Sequence, residues 1–191
     1  MNHKGTVTLK TDRLILRKYK HEDSKDMFKN WGTDKKVTKF LSWENHKNIE
    51  ETKRIIDYWV TRYESENFYN WVIELKDINE VIGGIEVVEV DNIKKACEIG
   101  YCISSKYWNK GITTEAFNAV MKYLFEDVGV DIIYAMHDVR NVASGEVMRK
   151  CNMIYKGTLR KVVIRNVEYD NISVYSILKK EWRQSLNPVR N

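Results

Sequence analysis

The most constraining feature of this chain is a change in the spacing of its apolar residues near position 105. Upstream of it, three runs at 68–76, 81–90 and 97–104 read as strands, separated only by the turn segments 77–80 and 91–95. Strands joined by so few residues pair with the neighbour they turn back on, which predicts an antiparallel meander. Downstream, after the loop Trp108-Asn109-Lys110-Gly111, the residues Ile112, Ala116, Val120 and Leu124 fall on one helical stripe. Phe117 and Met121 lie beside that stripe, and Gly129 ends the helix, predicted over 113–128. A strand follows at 131–137. Strand, glycine-containing loop, helix and strand form a right-handed βαβ-like crossover. One such unit is therefore expected inside an otherwise antiparallel sheet.

The flanking segments complete the pattern. RLILRKY at 13–19 alternates, with Leu14 and Leu16 on one face, and opens the sheet. Asp23 is placed to cap a short helix carrying Met27, Phe28 and Trp31. Asn48 and Glu51 resemble a capping box ahead of Ile49, Ile55, Ile56, Trp59, Val60 and Tyr63 at helical spacing. A helix over 141–151 and a closing pair of strands at 153–165 and 169–178 finish the chain. The expected fold class is α+β: one domain over 1–191, with its core at about 7–182 and a short polar tail at 183–191 holding Pro188. Its mixed, mostly antiparallel sheet has about seven strands flanked by helices.

Composition excludes several function classes. A chain of 191 residues that is 43% hydrophobic, with eleven Tyr and six Trp, is globular in character rather than disordered. Its net charge of +5 is spread along the chain, with no Lys/Arg run that looks like a nucleic-acid arm. A mild positive excess suits an anionic ligand. Cys97, Cys102 and Cys151 are odd in number and lack C-x-x-C spacing, which argues against a disulfide framework and a structural zinc. They sit on or near apolar positions and read as packing residues. His3, His21 and His46 lack metal-ligand spacing, and His137 reads as a satisfied polar histidine at a strand end. Neither a signal-peptide pattern nor an apolar run of about 20 residues is visible, so no membrane partner and a reducing, cytoplasmic location are expected.

The stretch 98–116, EIGYCISSKYWNKGITTEA, carries the chemistry. A strand ends in a loop with one glycine that runs straight into a helix N-terminus, where free backbone N–H groups and the positive end of the dipole make an anion site. Lys110 adds a mobile charge at its rim. The loop lacks G-x-x-x-x-G-K-[ST] and G-x-G-x-x-G, which disfavours ATP and NAD. Spacing alone leaves open which phosphate compound binds, or whether the loop merely connects strand to helix.

Nearly end to end, the chain resembles the GCN5-related N-acetyltransferase (GNAT) superfamily, and within it the ribosomal-protein N-terminal acetyltransferase (Rim-like) branch. The resemblance rests on TDRLILR at 11–17, IGGI at 82–85, EIGY at 98–101, YWNKGITTEA at 107–116, then Asn141, Ser144, Lys150, GTLR at 157–160, Tyr175 and Trp182, in shared order and spacing. It implies a sheet splayed at an acyl-CoA site, with acetyl-CoA as co-substrate and no metal. The pyrophosphate would lie on the backbone amides of Trp108, Asn109, Lys110, Gly111, Ile112, Thr113 and Thr114. The pantetheine arm would pair with the strand edge at Tyr101, Cys102 and Ile103, and Asn141 would hydrogen-bond the arm or the adjacent backbone. An N–H at Cys102 or Ile103 would polarise the thioester carbonyl.

The implied reaction is direct attack of a primary amine on acetyl-CoA, which needs a base and an acid. Glu98 is the candidate base, directly or through a water, with Glu86 on the neighbouring strand as the reserve. An ion-paired strand residue is the competing use of Glu98. Ser144 is the candidate acid, and a helix cap is its competing use. The implied acceptor is a protein α-amino group. A small amine (polyamine, amino acid or aminoglycoside), a non-catalytic acyl-CoA-binding domain and an RNA-binding role are the alternatives. A homodimer stands open as an assembly.

Several positions depart from the family pattern. Met148 stands where many members place a tyrosine acid, Thr113 where a smaller residue is usual, and Asn152-Met153 for a helix-ending Gly-Phe pair. Lys156, Val167 and Asn171 replace an acidic residue, a Gly and an Asp on the acceptor side. Trp43, Trp59, Trp71 and Tyr58 could floor an acceptor groove but stand at core-like spacing.

Overall fold

The structure, a computed structural model, describes residues 1–164 and 167–186. The short turns produce the expected meander: β1 (Leu9–Lys10), β2 (Leu14–Arg17), β3 (Asn70–Leu75), β4 (Glu80–Asp91) and β5 (Ala96–Ile103) pair antiparallel, each with the next. Asn79 and Lys95 take positive φ in the two tight turns of this meander, at 49° each. Beyond β5 come β6 (Ile132–Asp138), β7 (Ile154–Ile164) and β8 (Val167–Leu178), giving one sheet of order β1-β2-β3-β4-β5-β6-β8-β7. The β5–β6 pair is parallel, as a strand–helix–strand crossover requires. The sheet thus has eight strands rather than about seven. The addition is β1, two residues long and too short to show a period.

Helices cover both faces. α1 (Ser24–Met27), prolonged by a π turn over Phe28–Gly32, lies with α2 (Lys35–Thr38) and α3 (Ile49–Arg62) on one side. On that side Tyr19, Met27, Trp31, Val37, Ile56, Val72 and Val81 pack together. The larger core lies on the opposite face, under α4 (Ile112–Tyr123), α5 (Val142–Lys150) and α6 (Lys179–Leu186). Strand alternation separates the two: on β3, Trp71 and Ile73 enter the larger core and Val72 the smaller.

Caps partly follow the predicted chemistry. The Asn48 side chain accepts from Glu51 N–H at 3.1 Å, but the Glu51 carboxylate takes Lys47 N–H, one residue upstream of the box position. Asp23 makes no cap bond to α1. Its carboxylate reaches back to Lys20 N–H and accepts two bonds from the Arg17 guanidinium, at 2.8 and 2.9 Å. Arg17 also binds Glu74 at 2.6 Å, so one cation joins β2, β3 and the turn before α1. Gly129 and Asn152 adopt the left-handed conformation expected after a helix. Tyr58 lies on the solvent side of α3 rather than in the core, whereas Trp71 is fully buried. The first part of the predicted tail, 183–186, is the end of α6, anchored by Trp182 against Phe125; residues 187–191 lie outside the described residues. Asn171 sits opposite Arg160 in the closing hairpin, while the side chain at 167 lies outside the described residues.

Candidate active site

The crossover splits the sheet. The β5–β6 ladder runs only from Ala96↔Ile132 to Glu98↔Tyr134, although β5 continues to Ile103 and β6 to Asp138. Past Glu98 the facing strand edges diverge, leaving backbone groups of β5 turned toward a gap. The β4 ladder tells which ones. Ser104 N–H bonds Ile82 C=O at 2.8 Å, and an antiparallel strand alternates its polar groups between its two sides. Cys102, opposite Gly84 and two residues from Ser104, therefore points its N–H at β4, while Tyr101 and Ile103 point theirs into the gap. Of the two amides proposed from sequence to polarise a thioester carbonyl, Ile103 is the one that faces the gap. Cys102 is spent on the ladder.

At the end of β5 the chain enters the glycine-containing loop. Asn109 and Gly111 both have positive φ, at 59° and 73°, and Gly111 caps α4. The first helical bond runs from Glu115 N–H to Gly111 C=O at 3.0 Å, so the amides of Ile112, Thr113 and Thr114 are left at the helix N-terminus. A Cβ on Gly111 would meet only the Arg13 guanidinium, at 3.7 Å, so the cradle is open above the glycine. The loop is tied down by the connection between β1 and β2. Arg13 donates to Lys110 C=O at 2.9 Å and to the Glu115 carboxylate at 2.7 Å, which also accepts from Thr11 at 2.6 Å. Burial raises the Glu115 pKa, but these bonds prevail and hold it below the usual carboxylate range. The Trp108 indole donates to Ile103 C=O at 3.1 Å, and the exposed Lys110 ammonium lies over the Tyr107 ring. An open cradle of unspent amides with one mobile cation fits a pyrophosphate, and the gap in the sheet fits an extended arm leading from it.

The two faces of the split strand carry different groups. Cys97, Ile99 and Ile103 enter the larger core, with Tyr101 packed against it, so Glu98, Gly100 and Cys102 project from the opposite, α1–α3 face. Glu98 is only 5% exposed, and Glu86 lies on the same face, directly across from Gly100. On the other face, Tyr101 Oη lies 2.8 Å from Ser144 Oγ and 2.9 Å from Ser144 C=O. Ser144 is not the cap of α5. Asn141 is, its side chain accepting from Ser144 N–H at 3.4 Å, so Asn141 takes the backbone-bonding option. Met148 is buried in the larger core.

Sequence reasoning missed three features. Sequence places Tyr101 only on a strand edge, and the bond of its phenol to a residue 43 positions away has no sequence signal. The Arg13–Glu115 tie is likewise non-local. His137, expected to be satisfied, is satisfied on one side alone: Nδ1–H donates to Asp138 C=O at 2.8 Å, while Nε2 is buried with no partner. The other histidines bond side chains: His3 to Tyr69 and Asn92, His21 to Asp57, His46 to Thr52. Cys97, Cys102 and Cys151 are free thiols that burial pushes up to about 12, which makes them poor nucleophiles. Among the described residues, no cluster of metal-ligating side chains occurs and no helix is long and apolar enough to cross a membrane.

Residues 13–154 match the family described as acetyltransferase (GNAT) domain. The chain belongs to the GNAT acetyltransferases. Among GNAT relatives, the uncharacterized N-acetyltransferase YoaA of Bacillus subtilis (strain 168) is 32% identical over 171 residues, spanning 90% of this chain and 96% of YoaA. A GNAT-family acetyltransferase from Bacillus anthracis superposes with a TM-score of 0.79 at 26% identity, covering 91% of this chain and 99% of its own. RimL, a ribosomal L7/L12 α-N-protein acetyltransferase, shares the fold with a TM-score of 0.78 at 19% identity, covering 90% and 94%. The protein is thus an N-acetyltransferase of the GNAT family.

Proposed function

We propose that this acetyltransferase acylates a protein N-terminal α-amine, and that the split between β5 and β6 divides the labour of the two proton-handling groups. The observation that carries the reading is that Glu98 and Ser144 lie on opposite faces of the same sheet at the same split. The acetyl donor lies along the α4–α5 side, its pyrophosphate on the amides of 109–114, since the Trp108 N–H expected among them bonds Ser105 C=O at 3.4 Å, and its arm against Tyr101 and Ile103. The amine approaches from the α1–α3 side. There Glu98 takes the proton of the incoming ammonium, directly or through a water, with Glu86 as the reserve base. Ile103 N–H meets the charge on the thioester oxygen, and Ser144, across the sheet, serves the departing sulfur. The C–N bond forms as the C–S bond breaks, and the amine's lost proton balances the one the thiol gains.

The charge around the acceptor side favours an acceptor with a single terminal ammonium over a polyamine. The carboxylates of Glu98, buried, and Glu86, half-buried, attract one cation. Outside it, Lys18, Lys20, Lys25, Lys35, Lys36 and Lys39 are all exposed on the segment that covers this face, where they outnumber Glu22, Asp26, Asp34 and Glu44, and this excess disfavours a chain of further positive charges. The acyltransferase unit spans about 7–182 and works in the cytoplasm, alone or as a homodimer.

The test is release of CoA thiol from acetyl-CoA with two acceptor pools, N-terminal peptides and small cationic amines. Turnover with peptides and none with amines is the expected result. Turnover with amines alone would replace the acceptor by a metabolite. Binding of acetyl-CoA with silence in both pools would overturn the site assignment.

A further inference from the structure

The Tyr101–Ser144 contact fixes where two hydrogens lie. Tyr101 Oη is within hydrogen-bond distance of both Ser144 C=O, at 2.9 Å, and Ser144 Oγ, at 2.8 Å. A carbonyl oxygen can only accept, so the phenolic hydrogen goes to it. The Ser144 hydroxyl then donates to the phenolic oxygen. In this arrangement the serine hydrogen is parked on Tyr101 and is turned away from any charge that develops at the split.

A rotation of the two hydroxyls releases it. If the phenol swings its hydrogen from Ser144 C=O to Ser144 Oγ, the serine oxygen gains a donor and its own hydrogen is freed. No atom needs to travel, because the 2.8 Å separation already suits a hydrogen bond in either sense. The backbone carbonyl left behind still has its place in the α5 ladder.

We propose that Tyr101 is a positioning residue that switches the Ser144 hydroxyl between this parked state and one that donates to the departing sulfur. The inference rests on the reading of Ser144 as the group on the leaving-sulfur side. No proton leaves Tyr101 in the switch; it exchanges one acceptor for another.

Three further observations suit the phenol to that role. Its ring is held edge-on against Phe117, 5.6 Å between centroids at 81°, so the hydroxyl has a fixed origin. Burial pushes its pKa well above the ordinary tyrosine value, so it is a donor throughout the neutral range. Met148 is apolar and buried, leaving α5 with no hydroxyl there, and Tyr101 brings one to the first turn of the same helix from β5.

The experiment compares wild type, Tyr101→Phe, Ser144→Ala and the double variant by CoA-thiol release, with thermal midpoints measured alongside. Phenylalanine keeps the ring packing and removes only the switch. The expected result is a kcat about 10-fold lower for Tyr101→Phe, the scale of one hydrogen bond in a transition state, with KM for acetyl-CoA changed less than about 2-fold. The double variant should be no slower than Ser144→Ala, because without the serine there is nothing to turn. A Tyr101→Phe effect that multiplies fully onto Ser144→Ala, an unchanged kcat, or a change confined to KM would each overturn the switch. Wild-type kcat in Ser144→Ala would instead remove the role of Ser144 itself, and the switch with it.

Discussion

Gly145 offers the sharpest test of how α5 is seated on the split. A Cβ at this position would lie 2.8 Å from Nε2 and 3.0 Å from Cε1 of His137. Ordinary contact begins near 3.4 Å, so the ring or the helix must give by 3.4 − 2.8 = 0.6 Å. The ring has little freedom to do so, because Nδ1–H is bonded to Asp138 C=O at 2.8 Å and Tyr175 packs against it at 5.7 Å. Two terms of opposite sign compete in Gly145→Ala. Alanine gains roughly 0.8–1 kcal/mol in a helix interior, whereas overpacking a seated contact costs about 1–3 kcal/mol. The clash should win, with a net loss of about 1 kcal/mol, or roughly 2–4 °C in midpoint for a chain of this size. Ser144 is the preceding residue, so kcat should fall too. In a His137→Ala background the obstacle is gone and the same substitution should stabilise, by up to about 1 kcal/mol. Thermal melts of the four proteins, with CoA-thiol release on each, measure the sign reversal. A stabilising Gly145→Ala in the wild-type background, or the same sign in both, would refute the seating of α5 on His137.

Other predictions address the carboxylates and the buried ion cluster. Glu98→Gln should lower kcat by about 100-fold or more while KM for acetyl-CoA stays within a few-fold, the signature of a lost base; a change of less than about 3-fold moves the role to Glu86. Arg17→Met strands Asp23 and Glu74, whose side chains are 7% and 15% exposed, and should cost about 3 kcal/mol, read as a drop of about 1–2 M in urea midpoint. A loss below about 1 kcal/mol would show that solvent screens the cluster. Bonds from Arg140 hold the Asp138 carboxyl below its ordinary range against the effect of burial. Because the folded value is the lower one, the stabilisation is present above about 3.9, the unfolded value, and is lost as pH falls through the folded one. The midpoint gap between wild type and Asp138→Asn should therefore stay constant from pH 7 to about 5 and close below about 4; a gap that widens in acid would contradict this.

Local chemistry made much of the protein legible from its sequence alone. The meander followed from short turns, the crossover from the change of period at the Trp108–Gly111 loop, and the helix end at Asn152 from a residue that tolerates positive φ. The free amides at the start of α4 were legible for the same reason: a glycine loop running into a helix start leaves its first N–H groups without helical partners. The family resemblance then named the chemistry and pointed to Glu98 and Ser144.

What only the tertiary structure decided depends on pairings between distant residues. Whether an amide on β5 faces β4 or the gap turns on ladder register, which separates Ile103 from Cys102 although the two are adjacent in sequence. The opposite placement of Glu98 and Tyr101 needs strand alternation together with knowledge of which helices cover each face. Tyr101 meets Ser144 across 43 residues, and Arg13 meets Glu115 across 102. Hydrophobic spacing encodes which side of an element is buried. Polar partnership across the fold has no period to read, because it depends on where separate elements come to rest against one another.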